Sequence, residues 1–277
     1  CDDDDDSPSS PGPGTVVEVA QSDDDFSELV SALQDAGLVS TLEGNGPFTV
    51  FAPTNDAFQA LPSGTIQGLT TQELVEILSY HVISGEVTSG DLQAEQTVDA
   101  LAGGQLFVTV DGNLNVNDSA GGVTLDIDAS NGVIHAIDAV LFPDRFLDVV
   151  GIITKRYTLQ SLEEAVIAAN LVNTLQQDTQ DGYTVFAPTV DIPTGSLSQQ
   201  ELEDILTYHV LDTEIMSANI SSGTQTTVNG ADLQIDVATD GSVTLTDQAG
   251  NTYNVTTVDL QGTNGVVHLI DGILMPN

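Results

Sequence analysis

The chain is almost without positive charge. Its 277 residues include 3 Lys and Arg against 42 Asp and Glu, a formal net charge of −39 with His neutral. That shortage removes whole classes of function. A nucleic-acid binder neutralises phosphates with a basic patch, and none can be assembled from three cations. An anionic membrane surface is excluded as a direct electrostatic partner on the same ground. A phosphate-handling enzyme would lack the Lys and Arg that usually hold the phosphates. Long apolar runs are missing too: no stretch reaches the roughly 18 residues that a membrane-spanning helix needs. Tryptophan is absent, and the one cysteine, Cys1, cannot form an internal disulfide.

What is present still describes a folded protein. The apolar fraction is 40%, whereas disorder needs low hydrophobicity together with high net charge. The carboxylates repel one another in dilute buffer and oppose compaction. At molar salt the Debye length falls to about 3 Å and that repulsion is screened. The composition therefore points to a salt-saturated habitat, that of an extreme halophile and most simply an archaeon, with screening cations as standing partners.

Three blocks are written twice, in the same order. Phe48-Thr49-Val50-Phe51-Ala52-Pro53-Thr54 returns as Tyr183-Thr184-Val185-Phe186-Ala187-Pro188-Thr189. Ile77-Leu78-Ser79-Tyr80-His81-Val82 returns as Ile205-Leu206-Thr207-Tyr208-His209-Val210, and Asn131-Gly132-Val133-Ile134-His135 as Asn264-Gly265-Val266-Val267-His268. The offsets are 135, 128 and 133 residues, which is a domain size rather than a solenoid period. The expected organisation is a tether over 1–14, one domain over 15–143 and a second over 144–277. Cys1, followed by the acidic run Asp2 to Asp6 and a Pro/Gly/Ser-rich segment, reads as the lipid-bearing cysteine of a processed lipoprotein with a semi-stiff spacer behind it.

Periodicity supplies the elements. Phe26, Leu29, Val30 and Leu33 share a helix face, with Asp25 as expected N-cap and Gly37 as left-handed C-cap. Thr158 and Asn170 take those places in the second copy. A further helix opens on the capping box Thr70-x-x-Glu73, matched by Ser198-x-x-Glu201. Gln105 to Val110, Asp111-Gly112 and Leu114 to Val116 read as a hairpin, as do Leu233 to Val237, Asp240-Gly241 and Val243 to Leu245. The apolar run from Val133 reads as a buried central strand. Helices followed by a strand-rich half give an α+β domain, a β-sandwich or wedge with helices packed at one end. Between the Phe-Ala-Pro-Thr block and the capped helix the second copy is seven residues shorter.

These blocks resemble the fasciclin domain. Residues 49–58 follow its Thr-Val-Phe-Ala-Pro-Thr-Asn-Asp-Ala-Phe signature, Tyr80-His81 and Tyr208-His209 its central Tyr-His pair, and 131–143 and 264–276 its closing segment. The second copy departs from it at Val190-Asp191-Ile192-Pro193. The resemblance implies extracellular adhesion by a non-enzymatic, surface-anchored tandem-domain protein. It also makes Asn55, Asp56, Tyr80, His81, Tyr208 and His209 candidate contact residues.

Read from the residues, chemistry is sparse. The histidines fall in apolar stripes as equivalent pairs, which favours hydrogen-bonded core histidines over ligands, and no zinc spacing exists. No nucleophile elbow, Walker loop or dinucleotide motif occurs, so neither catalysis nor a cofactor is expected. Asp126-x-Asp128-x-Ser130 opens like a calcium loop, but Gly132 comes one place late and Ile137 stands where Glu is required. Asn117, Asn219 and Asn254 begin glycosylation sequons. Arg145, Lys155 and Arg156 cluster where the copies meet, either pairing with nearby carboxylates or neutralising acidic groups across an inter-domain contact. The expected partners are the membrane, through lipid on Cys1, and an extracellular protein or glycan. The alternatives are an accessory subunit docked on a membrane-bound complex and a solute or cation binder.

Overall fold

The computed structural model describes residues 13–277, so Cys1 and the rest of the first twelve residues lie outside the described part. The chain forms two compact units that divide between Leu141 and Phe142.

The first unit opens with helices α1 (Val16–Ser22), α2 (Ser27–Asp35) and α3 (Val39–Leu42), which lead into strand β1 (Phe48–Pro53). Helices α4 (Asn55–Gln59) and α5 (Thr71–Tyr80) follow. The chain then runs through β2 (Val82–Ser84), β3 (Glu95–Asp99), β4 (Gln105–Val110), β5 (Leu114–Val116), β6 (Ala120–Ala129) and β7 (Gly132–Ile137). These strands make one sheet in the order β2-β1-β7-β6-β5-β4-β3. Only β1 and β7 pair in parallel, from Phe48 opposite Gly132 to Pro53 opposite Ile137. Two cores result. Val50, Ala52, Ile134 and Ala136 pack against the helices. Phe51, Ile137 and the inward residues of β4 and β5 fill a second core inside the curled half of the sheet. Burial on both faces is why β1 and β7 read as continuous apolar runs.

The second unit repeats this with α6 (Val149–Thr154), α7 (Gln160–Ala168), α8 (Val172–Leu175), β8 (Tyr183–Pro188) and α9 (Gln199–Tyr208). Its remaining strands are β9 (Val210–Leu211), β10 (Gly223–Thr226), β11 (Asp232–Val237), β12 (Val243–Thr246), β13 (Thr252–Gln261) and β14 (Gly265–Ile270). The sheet order is β10-β11-β12-β13-β14-β8-β9, with β14 and β8 in parallel. No helix among the described residues stands where α4 stands in the first unit.

Both units are α+β wedges with helices at one end, as the sequence implies. Both capping boxes form, at Thr70 with Glu73 and at Ser198 with Glu201. Gly37 and Asn170 take the left-handed conformation behind α2 and α7, at φ 69° and 58°. The expected caps at Asp25 and Thr158 do not form. Residues 24–26 and 157–159 are 3-10 turns, and neither α2 nor α7 begins on a side-chain cap of its own. Helices α1 and α6 are not anticipated by apolar periodicity, because each is too short to show it.

Candidate functional site

The repeated residues are scaffold. The His81 ring donates from Nδ1 to the Ile77 carbonyl at 2.7 Å and accepts at Nε2 from the Leu141 N–H at 2.8 Å. His209 does the same with Ile205 and Leu274, at 2.8 and 2.9 Å. Burial drives both imidazoles down to about 4, with the helix carbonyl offsetting only part of the shift. Tyr80 and Tyr208 are fully buried; their hydroxyls donate to the Gln105 and Asp232 carbonyls. The Tyr-His pairs therefore plug the cores and offer no contact surface, which corrects the binding role expected for Tyr80, His81, Tyr208 and His209. A neutral histidine with both nitrogens engaged satisfies the requirement that buried polar groups be paired.

The other repeated side chains stitch the loops. His135 donates from Nε2 to the Val87 carbonyl at 2.8 Å and receives the Asp126 N–H at Nδ1, 3.3 Å away. Asp126 sits at φ 57° in a bulge of β6, and its carboxylate takes the Ser89 N–H at 2.7 Å together with the Ser89 hydroxyl. Those two donors hold it below the usual carboxylate range. The calcium-like spacing at 126–130 is thus strand and bulge, not a ligand loop. His268, Asp259 and Ser217 repeat the arrangement. Asn131 accepts from the Val16 N–H and donates to the Leu42 and Gly44 carbonyls, each at 2.8 Å. Asn264 makes the same three bonds to Val149, Leu175 and Gln177. These asparagines fix α1 and α6, which sequence periodicity missed; the legible signal was the capping box Thr15-x-x-Glu18.

Asn117 is also scaffold, a correction to its reading as a glycan acceptor. It is 2% exposed, and its Oδ1 accepts from the Phe107 N–H while its Nδ2 reaches the Tyr80 hydroxyl. The cations are similarly spent. Lys155 Nζ and Arg156 Nη2 lie 2.5 and 2.6 Å from the two carboxylate oxygens of Asp144, and both cations are buried in their own unit. This is the nearby-carboxylate reading for Lys155 and Arg156. Burial would raise the Asp144 carboxyl, but Arg156 and Lys155 outweigh it and hold it below the usual range. Burial pushes Lys155 down to about 8 despite that carboxylate. Arg145 is exposed, with its guanidinium 4.2 Å from the Phe146 ring centroid.

What differs between the units is the segment behind the Phe-Ala-Pro-Thr block. In the first unit Asn55 donates to the Asp24 carbonyl at 2.8 Å, and its Oδ1 caps α2 at the Glu28 N–H, 2.9 Å away. With this joint closed, residues 58–69 arch away and leave a groove of about 740 Å³ against α2 and α5. Ala32 and Leu74 form its floor, Phe58 and Ile66 its wall, and Glu28 and Asp35 an acidic rim. Asp56 is exposed on α4. In the second unit Val190 replaces Asn55, and a smaller hollow of about 350 Å³ lies at that joint.

The arrangement matches known proteins. The family model for the fasciclin domain matches residues 24–143 and again 158–276. Protein sll1483 of Synechocystis sp. is 51% identical over 134 residues, covering 47% of this chain and 73% of that protein. The cell surface glycolipoprotein MPB83 of Mycobacterium bovis is 39% identical over 148 residues, 48% of this chain and 66% of that protein. A solved FAS1 domain pair from the insect cell adhesion molecule fasciclin I superposes with a TM-score of 0.60, at 19% identity, over 91% of this chain and 97% of that one. Two units of one fold, with the family's motif residues serving as core and stitches in each, make this chain a member of the fasciclin family with two domains in tandem.

Proposed function

We propose that the chain is a non-enzymatic surface protein whose first domain binds a partner protein in its α2–α5 groove. The observation that carries this reading is the groove itself: it is built by the segment in which the two domains differ, while the shared motifs are consumed by the fold. A mainly polar lining that includes Glu28 and Asp35 around apolar Ala32, Phe58, Ile66 and Leu74 fits an amphipathic, cationic segment of the partner. Relatives include a protein described as a cell surface glycolipoprotein and a fold relative described as a cell adhesion molecule, which supports adhesion at an outer cell surface. Lipid on Cys1 would anchor the chain there, and its acidity suits an organism living in high salt.

The test is adhesion or pull-down in molar salt with Ile66→Asp and Phe58→Asp, beside Ile192→Ala in the second domain. Partner binding should fall at least tenfold for the groove variants, with circular dichroism unchanged, and hold for Ile192→Ala. Undiminished binding by both groove variants would sink the proposal.

A further inference from the structure

We infer that Asn219 carries an N-linked glycan and that this glycan guards an uncharged sheet edge of the second domain. The inference rests on the surface placement proposed above, because sequons are used on chains that are exported.

The three sequons are not equivalent. A glycan on the buried Nδ2 of Asn117 would have to occupy the core, so a folded copy cannot carry one. Asn254 lies in the ladder opposite Thr244, with its N–H and its Nδ2 both bound to Asp271, at 2.7 and 2.6 Å. Asn219 ends the exposed turn Ser217–Asn219, and Ser221 of its sequon is exposed as well. Its backbone N–H donates to the Met216 carbonyl at 2.8 Å. Its carboxamide makes no hydrogen bond among the described residues.

The first domain shows the same turn closed. Ser89 there corresponds to Ser217, since each is bonded to the bulge aspartate, Asp126 or Asp259. Asp91 then stands where Asn219 stands, and its carboxylate accepts from the Thr88 N–H and hydroxyl at 3.0 and 2.6 Å. Met216 replaces Thr88 and has no hydroxyl to hold Asn219. The side chain is left facing solvent.

The neighbouring edge supplies the reason. In each sheet the strand after this turn is an edge, β3 in the first domain and β10 in the second. Strand β3 reads Glu95-Gln96-Thr97-Val98-Asp99, with a carboxylate at either end; β10 reads Gly223-Thr224-Gln225-Thr226 and has none. Unpaired, uncharged edges invite pairing with another chain. At molar salt long-range repulsion between molecules is screened within about 3 Å, so net charge does not protect β10. Asn219 precedes Gly223 by four residues, at most about 14 Å of extended chain, and a branched sugar there blocks the approach to the edge. In the transfer, Nδ2 loses a proton and bonds to the anomeric carbon of a lipid-linked oligosaccharide. The bond from that carbon to the donor's phosphate breaks, and polyprenyl phosphate leaves with the electron pair.

Glycopeptide mass spectrometry on the native protein, combined with protease treatment of intact cells, tests the placement. Light scattering in molar salt tests the role. Asn219 should be occupied and Asn117 and Asn254 bare. Asn219→Gln should lose one glycan mass and self-associate, and adding Gln225→Lys should return it to the wild-type assembly state. A bare Asn219 on a surface-exposed protein overturns the inference, as does a glycan on Asn117 or an Asn219→Gln variant that does not self-associate. A chain confined to the cell interior overturns the surface reading and the glycan together.

Discussion

The two stretches that follow the Phe-Ala-Pro-Thr block, 54–70 and 189–198, start from equivalent strands and end on equivalent capped helices, yet they build different surfaces. In the first domain the contact to the start of α2 runs from the loop outward, with Asn55 capping Glu28. In the second it runs the other way, with the Ser161 hydroxyl accepting the Ile192 N–H at 2.8 Å. Ile192, 5% exposed, fills the place of the smaller Ala57, so the larger residue supplies by packing what Asn55 supplies by hydrogen bonding. The lesson is that a connection has only to span its ends and close one joint. It is free to vary, and a binding surface can grow on it without touching the core.

The comparison can be broken in three ways. The largest effect is expected from Asp144→Ala, which removes the carboxylate that two buried cations share in the second domain only. Removing one partner from a buried ion cluster costs about 3–5 kcal/mol, so hydrogen exchange should rise throughout residues 144–277 and stay unchanged in 15–141. Equal loosening of both domains would deny their energetic independence. Next is pH, which should treat the domains alike. His81 and His209 lie at about 4 when folded and at 6.5 otherwise, so the unfolded chain takes up the proton first as the pH falls. The stability contribution of each neutral imidazole is complete above pH 6.5 and is lost between 6.5 and 4. That amounts to roughly 3 kcal/mol per domain at 1.36 kcal/mol per unit. Denaturant unfolding in molar salt should show the loss in both domains, and His81→Gln should flatten it in the first alone. A pH-independent wild type would contradict the buried-neutral assignment. The smallest effect is Asn55→Ala, which removes a cap worth about 1 kcal/mol. It should lower the first domain's midpoint and leave the second domain, with Val190 already in place, unaffected.

Much of the fold could be read from the sequence because its signals are local. A capping box such as Thr70 with Glu73 needs only four residues, and the hairpin around Asp111-Gly112 only a dozen; both appear where expected. The long bulged strands β6 and β13 were less legible. Their turns at Asp126 and Asp259, at φ 57° and 62°, depend on a serine 37 or 42 residues away. The cap of α2 was misassigned for a similar reason: the capping side chain is 27 residues downstream. At the candidate site, the sequence showed where the copies differ, at the loop behind Pro53-Thr54. It did not show that the loop arches into a groove, since that depends on how Asn55 and the turns of 58–69 are packed. For the Tyr-His pair the apolar stripe was the better guide: it favours hydrogen-bonded core histidines, as found, where the resemblance implies a contact.

The burial of Lys155 and Arg156 also governs how the molecule can be cut. A protease whose specificity pocket accepts only Lys or Arg has three candidate residues in the whole chain, at 145, 155 and 156. Two of them are 4% and 5% exposed and locked to Asp144, which leaves the bond after Arg145, four residues beyond the end of the first unit. To trypsin-like enzymes the folded protein offers one exposed site, at the start of the second unit. Digestion under folding conditions should therefore cut once, after Arg145, and part Asp144 from the two buried cations it holds in the second unit.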